Sequence, residues 1–245
     1  MEALTAWLSD LKADFILNFV AEERWKFITT GLKNTLVITF ASLILGVLLG
    51  VIVAIVRSSY DKTHHEMRKG AKKSLFAVLN GICKIYLTVI RGTPVVVQLM
   101  IMYYIIFATS RNSLMVAILA FGINSGAYVA EIVRSGIMSI DEGQFEAGRS
   151  LGFDYKRTML YVIIPQAFKN VLPALANEFI VLLKETSVAG YVTIRDLTMG
   201  GNIIRAATYS PFMPLIAVAV IYLVMVMFFT WLVGMLERGL RKSER

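Results

Sequence analysis

"LKNTLVITFASLILGVLLGVIVAIV", Leu32 to Val56, carries a single charge, Lys33. As a helix rising about 1.5 Å per residue it extends roughly 37 Å, enough to cross a hydrocarbon core about 30 Å thick. Its apolar residues are continuous rather than alternating, so the segment predicts a helix and not a barrel strand. In lipid every backbone polar group must be satisfied internally, and an isolated helix does this. Gly46 and Gly50 stand four apart, a spacing that lets two membrane helices approach closely.

The rest of the chain repeats this pattern. Of 245 residues 57% are hydrophobic and 17% charged, where a soluble domain carries about 25% charged residues. The charges cluster between apolar blocks. "RSSYDKTHHEMRKGAKK", Arg57 to Lys73, follows the first span and is strongly basic. A second apolar region, Leu75 to Thr109, is interrupted by Lys84 and by "RGTP" at Arg91 to Pro94. It predicts an interfacial elbow to about Ile90 and then a span from Pro94 to Phe107, since proline suits a first helical turn. Further spans are expected at Leu114–Ile132, Gln166–Leu183 and Pro214–Leu236. With the N-terminus outside and the C-terminus in the cytoplasm, five spans place every strongly basic segment on the cytoplasmic side. The expected fold class is therefore an all-α polytopic membrane protein. It divides into an external or interfacial segment (1–31), a transmembrane domain (32–236) and a cytoplasmic tail (237–245). In the first of these Trp7, Leu8, Leu11, Phe15 and Phe19 recur at roughly helical spacing, as in a helix lying in the interface.

The net charge of +8 is explained by basic residues flanking the spans, so the partner it points to is the lipid bilayer and not nucleic acid. Cys83 is the one cysteine, which rules out an intrachain disulfide. His64 and His65 are sequence neighbours and point apart on a helix; no metal site is expected. There is no Gly-rich phosphate loop ending in Lys-Ser/Thr and no Ser/His/Asp arrangement, so neither enzymatic activity nor a cofactor is expected.

Polar residues inside the spans mark the candidate site. Asn124, Tyr128, Glu131 and Ser135 share one face of the third span, and the fourth carries Pro173, Asn177 and Glu178. Such groups are costly in lipid unless they face protein or a water-filled path. Asn124, Ser125, Tyr128, Asn177 and Glu178 are the candidate substrate-binding residues. Amides offer both donors and acceptors to a zwitterion. Glu131 and Arg134, three residues apart, are expected to form a structural ion pair.

Between the third and fourth spans lies "EAGRSLGFDYKRTMLYVIIP", Glu146 to Pro165. Ser139 with Glu142 fits a capping box for a short helix from about Ile140 to Leu151. Phe145, Gly148 and Leu151 would share one face of it, Gly152 would end it, and Asp154 would cap the next helix. The small residues Ala147 and Gly148 suit close packing against another surface.

This stretch resembles the EAA loop of binding-protein-dependent ABC import permeases at Glu146, Ala147, Gly148, Gly152, Ile164 and Pro165, with Gly148 in place of the usual alanine. "RGTPVVVQL" (Arg91–Leu99), "AYVAEIVRSGI" (Ala127–Ile137) and "NEFIVLLKETS" (Asn177–Ser187) are similar to the polar amino-acid branch. The resemblance implies the type I importer permease fold and a coupling helix for a cytoplasmic ATPase, with Glu146, Ala147, Gly148, Leu151 and Gly152 as coupling residues. It further implies a polar amino acid as substrate and a second permease subunit, as homodimer or heterodimer. Two ATPase subunits, which bind the ATP, and an external substrate-binding protein complete the expected assembly. The alternative is an ion-coupled secondary transporter of small polar solutes, since intramembrane Asn and Glu suit ion coupling too.

Overall fold

The structure, a computed structural model, describes residues 2–64 and 70–242; His65 of the histidine pair lies outside them. The elements in chain order are α1 (Glu2–Phe15), α2 (Trp25–Thr63), α3 (Ala71–Gly92), α4 (Val95–Ile101), α5 (Ser113–Met138), α6 (Glu142–Ser150), α7 (Tyr155–Thr158), α8 (Ile164–Glu185), α9 (Leu197–Thr208) and α10 (Phe212–Lys242). There is no strand among the described residues. Among the described residues, five helices are long and apolar enough to cross a membrane: α2, α3, α5, the stretch Tyr155–Val192 that contains α8, and α10. The spans outrun the apolar runs. α2 begins at Trp25 rather than Leu32 and ends at Thr63 rather than Val56, and α10 continues to Lys242. A helix does not stop where hydropathy does, because its backbone bonds are satisfied equally well in water.

The second crossing differs from the sequence expectation. The stretch read as an elbow is the 22-residue α3. The stretch read as a span is seven residues of α-helix and five of π-helix (Met102–Ile106), about 18 Å and too short to cross alone. The two are separated by a break at Thr93–Pro94. Asn80 on α3 accepts from Arg57 at the far end of α2 (3.2 Å). Beyond the break, Tyr104 donates to the Tyr191 carbonyl (3.1 Å), near the start of α9. The chain from α3 to the end of the π-helix thus runs from the level of Arg57 to that of Tyr191.

The core is the seam between α2 and α5, which pack along most of their lengths. A Cβ built on Gly50 would lie 2.6 Å from Val129 Cγ1 and 2.8 Å from the Gly126 carbonyl oxygen, and one on Gly122 would lie 2.6 Å from Leu45 Cδ2. Glycines of each helix thus receive side chains of the other, which confirms the close approach read from Gly46 and Gly50. On the opposite face of α2, Ile44, Leu48 and Ile52 are exposed, while Phe40 packs on the rings of Phe179 and Phe229. Gly50→Val should separate the helices, at a cost of about 1–3 kcal/mol, and lower the melting temperature of the purified protein. Gly81→Ala, where nothing lies within 4 Å, should leave it unchanged. Equal melting of the two variants would refute the seam.

Polar chemistry sets the helix ends. Asn112, Asp141, Asp154 and Asp196 each accept a backbone N–H in the first turn of α5, α6, α7 and α9. Asp154 caps as expected, but the cap of α6 is Asp141 and not Ser139. Ser139 donates to the Gly136 carbonyl (2.9 Å) and accepts from Asn170 (3.0 Å), so it ties α5 to α8 instead. α1 is a helix with Trp7, Leu8 and Phe15 exposed. Just after it, the buried Asn18 bonds Thr208 and Ser210 at the end of α9.

Candidate functional site

Two regions gather polar side chains: one half-way along the spans, one at the end of the bundle that carries α6. In the first, Ser125 on α5 donates to Glu178 Oε1 on α8 at 2.8 Å, and both residues are buried. Ser125 is near the middle of α5, so the pair lies near the middle of the span. Gly46 on α2 backs it; a Cβ there would come within 3.0 Å of Ser125 Oγ.

Asn124, one residue earlier and about 100° round the helix, faces α4 instead. Its Nδ2 donates to Gln98 Oε1 (2.9 Å). Gln98 Nε2 bonds the carbonyl of Ile90 (2.7 Å) and both oxygens of Thr93. In an unbroken helix the Ile90 carbonyl would take the N–H of residue 94, which Pro94 lacks. The Gln98 side chain supplies the missing donor. Because its nitrogen is committed there, its oxygen must accept and Asn124 must donate. Asn124 Oδ1 is left buried without a partner.

The remaining predicted residues go elsewhere. Tyr128 lies under the Arg91 guanidinium, 5.8 Å from its ring centroid. Arg91 approaches Glu131 at 3.7 Å, Glu131 approaches Arg134 at 3.8 Å, and Arg134 reaches Asp61 at 3.3 Å. The expected Glu131–Arg134 pair is thus part of a charged chain joining α3, α5 and α2. Ser135, expected on the same polar face, is exposed. Asn177 points away from Glu178: it is exposed and has no hydrogen-bond partner among the described residues. With Gln166, Asn170 and Lys184, all exposed, it forms a polar stripe along one face of α8, spaced i, i+4, i+11 and i+18. The five residues therefore fall into four places rather than one cluster, since adjacent residues on a helix cannot face the same way.

At the α6 end, Gly152 has φ +78, the left-handed conformation its position predicts. The Phe153 N–H returns to the Gly148 carbonyl (3.0 Å) and that of Gly152 to Arg149 (2.9 Å), a Schellman closure. Glu146, Ala147 and Leu151 are exposed, Leu151 at 75%. Phe145 and Gly148 are buried against the chain itself. Leu151 leaves their face because it caps the helix. A Cβ on Gly148 would lie 2.7 Å from Thr158 Cγ2, so its small size seats α7 within the chain. Lys62, from the extended end of α2, bonds Glu142 (2.9 Å) and sits 4.7 Å from the Phe145 ring centroid. That bond holds the Glu142 carboxyl below its ordinary pKa. Lys62 and Glu142 flank a cleft of about 330 Å³ whose lining also includes Glu146, Arg149 and Tyr155. Lys62 and Gln98 were given no role from sequence. Gln98 was detectable as the amide four residues after Pro94; Lys62 was hidden by a distance of 80 residues from its partner.

The family described as "Binding-protein-dependent transport system inner membrane component" matches residues 71–242. The chain belongs to that family. This permease is 36% identical over 221 residues to the arginine transport system permease protein ArtQ of Bacillus subtilis (strain 168), covering 89% of this chain and 94% of ArtQ. It is 34% identical over 215 residues to the putative glutamine transport system permease protein GlnP of Rickettsia typhi (strain ATCC VR-144 / Wilmington), covering 86% and 92% of the two chains. Among solved structures, that of an amino acid ABC transporter with histidines superposes on the permease with a TM-score of 0.78 at 39% identity, over 90% of this chain and 98% of the other. The methionine ABC transporter MetNI, in an inward-facing conformation, matches with a TM-score of 0.73 at 20% identity and shares the fold, over 90% and 99% of the chains. As a member of this family the permease is a membrane-spanning subunit of an ABC importer.

Proposed function

We propose that this permease imports a polar amino acid across the cell membrane along the polar stripe of α8. The observation that carries the reading is Asn177, exposed and without a partner among the described residues, beside the buried Ser125–Glu178 pair. A polar residue so placed near mid-span is costly against lipid and suits a water-filled path. A path along an exposed face needs a second wall, which a second permease subunit, identical or similar, would supply. Asn177 and Glu178 would meet the cargo's polar groups, with Ser125 orienting Glu178. Asn124 Oδ1, an unspent acceptor, would receive an ammonium hydrogen as α4 shifts. Tyr128, held under Arg91 on the α3 side of α5, would stand outside this path. The amino-acid class is supported by the names of the relatives in arginine and glutamine transport.

On the cytoplasmic side, two ATPase subunits would dock on α6 through Glu146, Ala147 and Leu151. ATP would be bound there, with no cofactor in the permease. The N-terminus and α9 would face outward towards the binding protein, and the tail after Leu236 would face inward, as the placement of the basic segments supports. Vesicles enclosing the ATPase and ATP, with the binding protein outside, should accumulate amino acid only when all three parts are present. Uptake without ATPase, or driven by an ion gradient alone, would overturn the reading.

A further inference from the structure

Near the α6 end, α2, α3 and α5 line a wide-open cavity of about 430 Å³ that neither cargo nor coupling requires. Arg57, Lys84, Thr88 and Arg91 line it, with Glu131 the one carboxylate among its described lining residues. That carboxylate is already shared between Arg91 and Arg134. Arg57 gives one nitrogen to Asn80, while its Nε is buried without a partner. Lys84 is exposed and has no partner among the described residues. Three cations thus converge on a space whose one carboxylate among the described lining residues is spent.

The place of the cavity narrows the choice of ligand. Arg57 is the first charged residue after the uncharged, largely apolar run from Leu36 to Val56, so the cavity lies where hydrocarbon gives way to headgroups. Lys84, Thr88 and Arg91 occupy one edge of α3 at i, i+4 and i+7. Beside them Val78, Ile82, Ile85 and Val89 form an exposed apolar strip. Basic pockets between membrane helices on the cytoplasmic side suit anionic headgroups. A free anion would use the cations and leave the strip bare; a phospholipid uses both.

We propose that this cavity holds the phosphate of an anionic phospholipid whose acyl chains lie along the exposed strip of α3. The lipid would complete the hydrogen bonding of Arg57 and brace α3 against α2 on the side where α3 has few protein neighbours. The inference requires a membrane-spanning chain but not the proposed cargo or ATPase contacts, so either can fail without the other.

The test uses the full purified chain equilibrated in detergent with phosphatidylglycerol or phosphatidylcholine, with bound lipid counted by native mass spectrometry. One phosphatidylglycerol per chain should be retained in preference to phosphatidylcholine. Lys84→Gln, which breaks no protein contact, should weaken retention about fivefold, the effect of roughly 1 kcal/mol per basic residue at an anionic surface. Arg111→Gln, at the opposite end of the bundle, should have no effect. Equal retention of the two lipids, or unchanged retention in Lys84→Gln, would overturn the proposal. So would complete displacement by inorganic phosphate, which would make the cavity a free-anion site, or by glutamate, which would make it part of the cargo route.

Discussion

Leu151→Asp is expected to reduce ATP-driven uptake to background while the permease still inserts and folds. Leu151 is 75% exposed at the tip of α6 and touches nothing whose loss would unfold the loop. Covered by an ATPase, a leucine contributes about 1.5–3 kcal/mol, and an aspartate in its place would have to be desolvated as well. ATPase association should weaken by at least 10- to 100-fold, read by co-purification. Gly152→Ala should be milder. Its Cβ would meet nothing within 4 Å, which leaves only the backbone cost of about 1 kcal/mol. Gly148→Ala should impair coupling by another route, with lowered thermal stability, because its Cβ intrudes on Thr158. Wild-type uptake and ATPase retention in Leu151→Asp would show that α6 is a connector.

The second large effect is expected at mid-span. Asn177→Leu removes an exposed polar group with no protein partner, so protein levels and melting should stay normal while uptake falls. Glu178→Gln keeps an acceptor for the Ser125 hydroxyl and so keeps the fold, but removes the charge. Hydrogen bonds to charged groups are worth about 1.5–3 kcal/mol. Uptake of a cationic amino acid should therefore fall roughly 10- to 100-fold, and that of a neutral one less. Normal uptake in both variants, at normal protein levels, would remove these residues from the path.

The difference between what the sequence revealed and what it concealed follows physical lines. Continuous apolar runs reveal spans because lipid acts on every residue of a span alike, and Gly152 and Asp154 were legible because turn and cap chemistry is local. The polar residues of α5 and α8 were recognisable as polar in lipid, but not their partners. Ser125 meets Glu178 across 53 positions, while Asn124, its neighbour, turns to Gln98. Helical phase tells which residues share a face; it does not tell what that face meets. The cap of α6 was misread for a related reason: Ser139 and Asp141 are both competent, and Asn170 on another helix engages the serine.

Gln98 and Pro94 bear on how such a chain can vary in descent. The proline removes a donor and the amide four residues on replaces it, so the two positions form one functional unit encoded in two places. Loss of the amide alone strands the Ile90 carbonyl in the membrane. Loss of the proline alone leaves the backbone and the amide competing for that carbonyl. Drift through either single change is disfavoured, and the pair should be inherited, or lost, together.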